Sequence, residues 1–104
     1  MPARVQLRRT KGWRMPEGAV KVDRTTAFGN PFRVGDQHVP DAAAAVRMFR
    51  ARLPGAEFYQ PPHPDSYMGR LIARLPELRG KDLACWCRPG EPCHADALIE
   101  VANR

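Results

Sequence analysis

No apolar run in this chain approaches the roughly 18 residues that a membrane-spanning helix requires, which excludes a helical membrane protein. The opening stretch, MPARVQLRRTKGW, lacks the apolar core of a secretory signal, so a cytoplasmic location is expected. There is no internal repeat and no low-complexity tract, which excludes solenoids and compositionally biased tails. Cysteine is absent everywhere except at positions 85, 87 and 93. So few thiols, so tightly grouped, do not make a disulfide scaffold, and Cys85 and Cys87 are too near in sequence to bridge each other comfortably. In a reducing compartment such cysteines bind metal, react or pack.

Proline is plentiful, at eleven residues, and argues for short elements joined by ordered loops. The length of 104 residues corresponds to one domain, residues 1–104, with an ordinary 43% hydrophobic content. A chain of this size buries roughly 60–65% of its unfolded surface and folds without staples.

The formal net charge of +6 is unevenly spread. Residues 1–24 carry seven basic and two acidic side chains, against ten and nine in the rest. Arg8, Arg9, Lys11 and Arg14 form a basic segment that can meet the phosphates of a nucleotide or nucleic acid, or can be a plain solvated surface. Trp13, set among them, adds a surface on which a base can stack.

Alternation over Ala3–Leu7 predicts a strand, and AVKVD a second, with Val20 and Val22 inward. FRVGDQHV reads as a hairpin turning at Gly35-Asp36. Asp41 is an N-cap for a helix reaching about Leu53, whose stripe is Ala42, Ala45, Val46, Phe49 and Leu53. Asp65 or Ser66 caps a second helix with Met68, Leu71, Ile72 and Leu75 on one face. KDLACWC is the strongest strand, and a last helix runs from Ala95 to Asn103. Strands separated by helices define an α/β fold. The expectation is a small mixed sheet flanked by about three helices, with Rossmann-like layering.

The three cysteines fall in CWCRPGEPCH, Cys85 to His94, where a strand hands over to a helix. In open α/β sheets this junction is the usual ligand site, because free amides and the helix dipole point there. Three readings compete. As a metal site, Cys85, Cys87, Cys93 and His94 supply the four ligands of a closed zinc centre. However, a C-x-C pair on an extended strand sets its sulfurs about 7 Å apart, and adjacent Cys93 and His94 need a kink to chelate together. As a reactive site, Cys87 or Cys93 is the nucleophile, His94 an acid or base, and Asp96 a group returning over the first helical turn. The loop is similar in outline to a rhodanese-type loop, but its length and its lack of a Gly-x-Arg ending depart from that pattern. As a packing element, the cysteines are simply buried.

A second constellation lies in VDRTTAFGNPF. Asp23 and Arg24 end a strand, Thr25 can donate to an anion, Gly29 permits close backbone approach, and Asn30 offers donor and acceptor. The competing reading is a turn anchored by Phe28 and Phe32.

The order VKVDRTTAFGNPF, a helix, then GKDLACWCRPGEPCHADAL resembles a family of phages and bacteria, the domain of unknown function numbered 4326. The resemblance spans nearly the whole chain. Its pattern falls on Asp23, Arg24, Gly29, Asn30, Pro31 and Phe32, and on Gly80, Lys81, Cys85, Cys87, Pro92, Cys93, His94 and Asp96. It implies a phage or bacterial source and sharpens the sites, leaving the chemistry to the residues.

Two functions are carried forward. One is a small enzyme acting on a nucleotide, nucleoside or nucleic-acid base. It would use Cys87, Cys93, His94 and Asp96 as catalytic groups and Asp23, Arg24, Thr25, Gly29 and Asn30 as ligand contacts. The other is a non-enzymatic module that binds nucleic acid or a host protein, with the Cys/His loop packed or holding zinc.

Overall fold

A computed structural model describes residues 2–104. Three short strands form its sheet: β1 (Arg4–Gln6), β2 (Val20–Lys21) and β3 (Leu83–Cys85). The order is β1-β3-β2, and both pairings are parallel. The expected mixed sheet is therefore corrected to an all-parallel one. An antiparallel strand would have had to come from FRVGDQHV, which forms no strand. Gly35 N–H instead donates to Val39 O at 2.9 Å and Asp36 N–H to Arg33 O at 3.0 Å. That segment, held between Pro31 and Pro40, closes its hydrogen bonds on itself.

β3 lies in the centre, and Leu83, Ala84 and Cys85 are all buried. A continuous apolar run is what a parallel strand covered on both faces requires. Flanking bonds extend the ladder: Leu83 N–H reaches Ala3 O at 3.0 Å, Leu7 N–H reaches Cys85 O at 2.7 Å, and Val22 N–H reaches Ala84 O at 2.9 Å. Only β3 is bonded on both sides, so its carboxyl end is firmly placed.

Three α-helices follow the expected caps: α1 (Ala42–Ala51), α2 (Tyr67–Ala73) and α3 (His94–Ala102). Asp41 accepts the Ala44 N–H at 2.8 Å. Ser66, rather than Asp65, caps α2 by accepting from Gly69 N–H at 3.0 Å. α1 stops at Ala51, two residues early, because Arg52 closes it with bonds to Phe49 and Arg50 carbonyls. Pro76 turns the chain after α2 into a short 3-10 segment, Leu75–Leu78. α3 packs against α1, the 3-10 segment and β3. Phe49, Leu53, Leu71, Leu78, Leu83 and Leu98 build the core. No helix among the described residues is long and apolar enough to cross a membrane.

Candidate functional site

The site begins where β3 ends. The strand stops at Cys85, and the chain bends at Trp86 and Cys87 into the loop Arg88–Pro92. Gly90 takes a positive φ of 84° there, a conformation that favours glycine. Arg4 grips this loop from the neighbouring strand. Its guanidinium donates to Arg88 O at 2.8 Å, to Glu91 O at 2.8 Å and to the Asp96 carboxylate at 3.0 Å. One planar fork thus ties both ends of the loop to the first turn of α3.

The bend brings the sulfurs together. The Sγ atoms of Cys85, Cys87 and Cys93 all lie within 4.8 Å of one another, and the Cys85–Cys93 pair is 2.9 Å apart. The separation expected for two cysteines on an extended strand is corrected: Cys87 has already left the strand, so its sulfur folds back toward Cys85. Cys85 and Cys93 are buried, whereas Cys87 is half-buried. Hydrogen bonding from Cys85, then Cys93, holds the Cys87 thiol far below its usual range. The same bonding pushes Cys85 and Cys93 up. Of the three sulfurs, Cys87 is therefore the most readily deprotonated.

Cys93 is also the N-cap of α3, yet its side chain makes no capping bond. Ser, Thr, Asp or Asn at that position would stabilise the helix by about 1 kcal/mol. The sequence departs from the local rule and turns the side chain to the sulfur group instead, the kind of departure that marks functional sites.

His94 is buried and edge-on to Phe49, with ring centroids 5.4 Å apart. Its Nε2 lies 2.6 Å from Val22 O. A carbonyl only accepts, so Nε2 carries the proton and Nδ1 is left with a lone pair. That lone pair faces Cys93 Sγ at 3.9 Å. Burial pushes the imidazole below its usual pKa, so it is neutral at pH 7. Among the described residues the tight metal-capable group is Cys85, Cys87 and Cys93, without His94. Tetrahedral zinc with thiolates at about 2.3 Å sets sulfurs roughly 3.8 Å apart, so the trio fits with small adjustments.

The second loop forms the opposite wall. Asp23 is buried, and its carboxylate accepts from Thr25 N–H at 3.1 Å, Thr25 O–H at 2.5 Å and Trp86 Nε1–H at 2.8 Å. Lys21 stands 3.6 Å away. Burial pushes the Asp23 carboxyl up, but the Thr25 and Trp86 hydrogen bonds outweigh it and hold the group below the ordinary range. Asn30 donates to Ala45 O at 3.0 Å and accepts from Phe32 N–H at 2.9 Å. Arg24 donates to the Asn30 and Phe32 carbonyls. Gly29 allows this fold: a Cβ there would sit 2.6 Å from Arg24 Cα and 2.9 Å from Asp23 O. Tyr67 secures the same turn through its hydroxyl, 2.6 Å from Gly29 O.

The two loops share one cavity of about 290 Å³. Asp23, Arg24, Thr25 and Asn30 line it from one side, the three cysteines and His94 from the other, with Ala42, Ala45 and Val46 of α1 as an apolar wall. Asp96 is not part of it. It is exposed, pairs with Arg4, and borders a second cleft of about 470 Å³ that Cys87 also lines. Arg8, Arg9, Lys11 and Arg14 are all exposed. Only Arg9 has a contact that ties it to the site, its guanidinium 4.9 Å above the ring of Trp86. Trp86 and Arg4 were not singled out by the sequence. Their partners lie 63 and 84 to 92 residues away, so no local pattern announces them.

The three-sulfur group, the DRTT turn and the GNPF turn therefore enclose a single hollow at the carboxyl end of a parallel sheet. Comparison with curated proteins and with solved structures finds no match for the chain. A family profile covers residues 5–104, almost the full length, and includes every residue of both loops. By that match the chain belongs to the family described as Domain of unknown function (DUF4326).

Proposed function

We propose that this protein is a small enzyme acting on a nucleotide, nucleoside or nucleic-acid base, with Cys87 as its reacting thiol. One observation carries the reading: Cys87 is the most accessible of three clustered sulfurs, and it borders a cavity that also contains Arg24 and His94. A volume near 290 Å³ is at the lower end of small-molecule sites. The carboxyl edge of a parallel sheet is where α/β folds of Rossmann-like layering receive such ligands. Cys93 and His94 support the thiol from within. Asp96 acts indirectly, by fixing Arg4 and hence the loop.

The test is alkylation with iodoacetamide under native conditions, mapped by mass spectrometry. Cys87 should be labelled first, Cys85 and Cys93 only on unfolding, and Cys87→Ser should remove the fast phase. A fast phase that survives Cys87→Ser overturns the assignment.

A second reading is favoured by the convergence of all three sulfurs within 4.8 Å. Here Cys85, Cys87 and Cys93 hold a zinc ion and the protein is a binding module for nucleic acid or a host protein. His94 Nδ1 or an outside group would complete the ligand set. Stoichiometric zinc in purified protein, with unfolding on chelation, supports the module. Salt-dependent retention on nucleic acid that disappears when Arg8, Arg9 and Lys11 become Gln supports its basic face as the interface.

A further inference from the structure

We infer that Trp86 is the stacking platform for the planar base of a mononucleotide entering this cavity, with Asp23 fixing the ring and Arg9 covering it until the ligand arrives. The inference rests on the nucleotide reading above and names the group that recognises the base.

Trp86 is a large aromatic side chain left 42% exposed, although its neighbours Cys85 and Ala84 are fully buried. Packing does not explain that exposure. The ring is nevertheless held in orientation. Its only polar atom donates to Asp23, a buried carboxylate itself anchored by Thr25. A charge-assisted bond of this kind fixes the indole plane with little entropy left to lose on binding. Trp86 lines the cavity, as do Cys87 and Val34. A fixed indole at the mouth of a small apolar hollow is a sequence-tolerant surface for any base.

Arg9 supplies the second half. Its guanidinium lies over the Trp86 ring, and it comes from Leu7–Ala19, a segment with neither helix nor strand. A guanidinium on an indole face is a favourable but modest contact at an exposed position. A base can take the same face, and the released guanidinium then stands near the 5′-phosphate. The net charge of +6 and the adjoining Arg8 favour an anionic ligand over a neutral one. Recognition thus divides between a π-face for the base and an exposed cation for the phosphate.

The test uses adenosine 5′-monophosphate, adenosine and inorganic phosphate, each titrated calorimetrically into the full chain. A parallel fluorescence titration uses Trp13→Phe, in which Trp86 is the sole tryptophan. The monophosphate should bind and quench that emission. Trp86→Leu, which keeps apolar bulk without a π-face, should weaken binding roughly tenfold or more, whereas Trp86→Phe should recover much of it. Arg9→Gln should weaken the monophosphate but leave adenosine equal or tighter, because the competitor for the ring is gone. A ten-nucleotide single strand assigns the source: tighter Trp86-dependent binding than the monophosphate identifies a nucleotide within a strand, and weaker binding a free one.

Monophosphate binding that is unchanged in Trp86→Leu overturns the platform while leaving the nucleotide reading intact. No binding of monophosphate, adenosine or strand to the wild-type chain overturns both. Binding that persists through Trp86 in a protein whose Cys87 does not react leaves the platform standing and removes the thiol chemistry alone.

Discussion

Replacing Arg4 with Met removes the fork that holds the cysteine loop while keeping most of the apolar stem. The Arg4 side chain is only 11% exposed, and its guanidinium makes three contacts, to Arg88 O, Glu91 O and Asp96. Hydrogen bonds from a charged donor contribute about 1.5–3 kcal/mol each when buried. Arg88 and Glu91 lie at the surface, so water can recover part of that loss. The Asp96 pair is weaker still, because its carboxylate side chain is 54% exposed; exposed pairs contribute about 0–1 kcal/mol. The expected sum is about 2–3 kcal/mol, which lowers Tm by about 8–20 °C in a domain of this size. Asp96→Asn removes only the ion pair and should cost less than about 1 kcal/mol. Thermal unfolding by circular dichroism measures both. Hydrogen exchange should show faster amide exchange across Arg88–Pro92 in Arg4→Met and little change in Asp96→Asn. Equal losses in the two variants would mean that Arg4 acts through the ion pair alone, and the loop-clamp reasoning would be refuted.

Two further perturbations probe the opposite wall. Asp23 has a folded pKa below its unfolded value, set by Thr25 and Trp86 with Lys21 facing it. Its stabilising contribution is therefore complete above the ordinary carboxylate pKa of about 4 and is lost as pH falls through the lower folded value. Urea denaturation across pH should show Asp23→Asn less stable at pH 7 and flatter than wild type below about pH 4; parallel curves would contradict the sign. Gly29→Ala places a Cβ 2.6 Å from Arg24 Cα, so backbone must move. A loss of about 1–3 kcal/mol is expected, measured by chemical denaturation, and a neutral effect would show that the turn yields freely.

Much of the local architecture was legible in the residues. Asp41 and Ser66 announce their helices because a cap is a bond to the third residue onward, contained within a short window. Phe49 and Leu53 follow helical spacing and are fully buried. The apolar run Leu83–Cys85 identifies the central strand. FRVGDQHV misled because alternation over so few residues suits a strand and a self-closed turn alike. The sulfur geometry misled for a related reason: the rule for an extended strand applies only while the strand lasts, and where β3 stops depends on its neighbours. β1 and β2 pair with it through Cys85 and Ala84 and no further, so Trp86 and Cys87 are free to bend.

By itself the sequence determined the helix starts, the central strand, the concentration of thiols at a strand-to-helix junction and the uneven charge. Each is a property of neighbours along the chain. The tertiary structure alone decided that three sulfurs converge, that Arg4 clamps their loop, that Trp86 is fixed by Asp23, and that Arg24 and His94 share a cavity. The sulfurs converge only because β3 ends where its neighbours do; the Arg4 and Trp86 contacts join residues 63 to 92 positions apart, and such contacts form only when packing of the core brings the ends of the strands together.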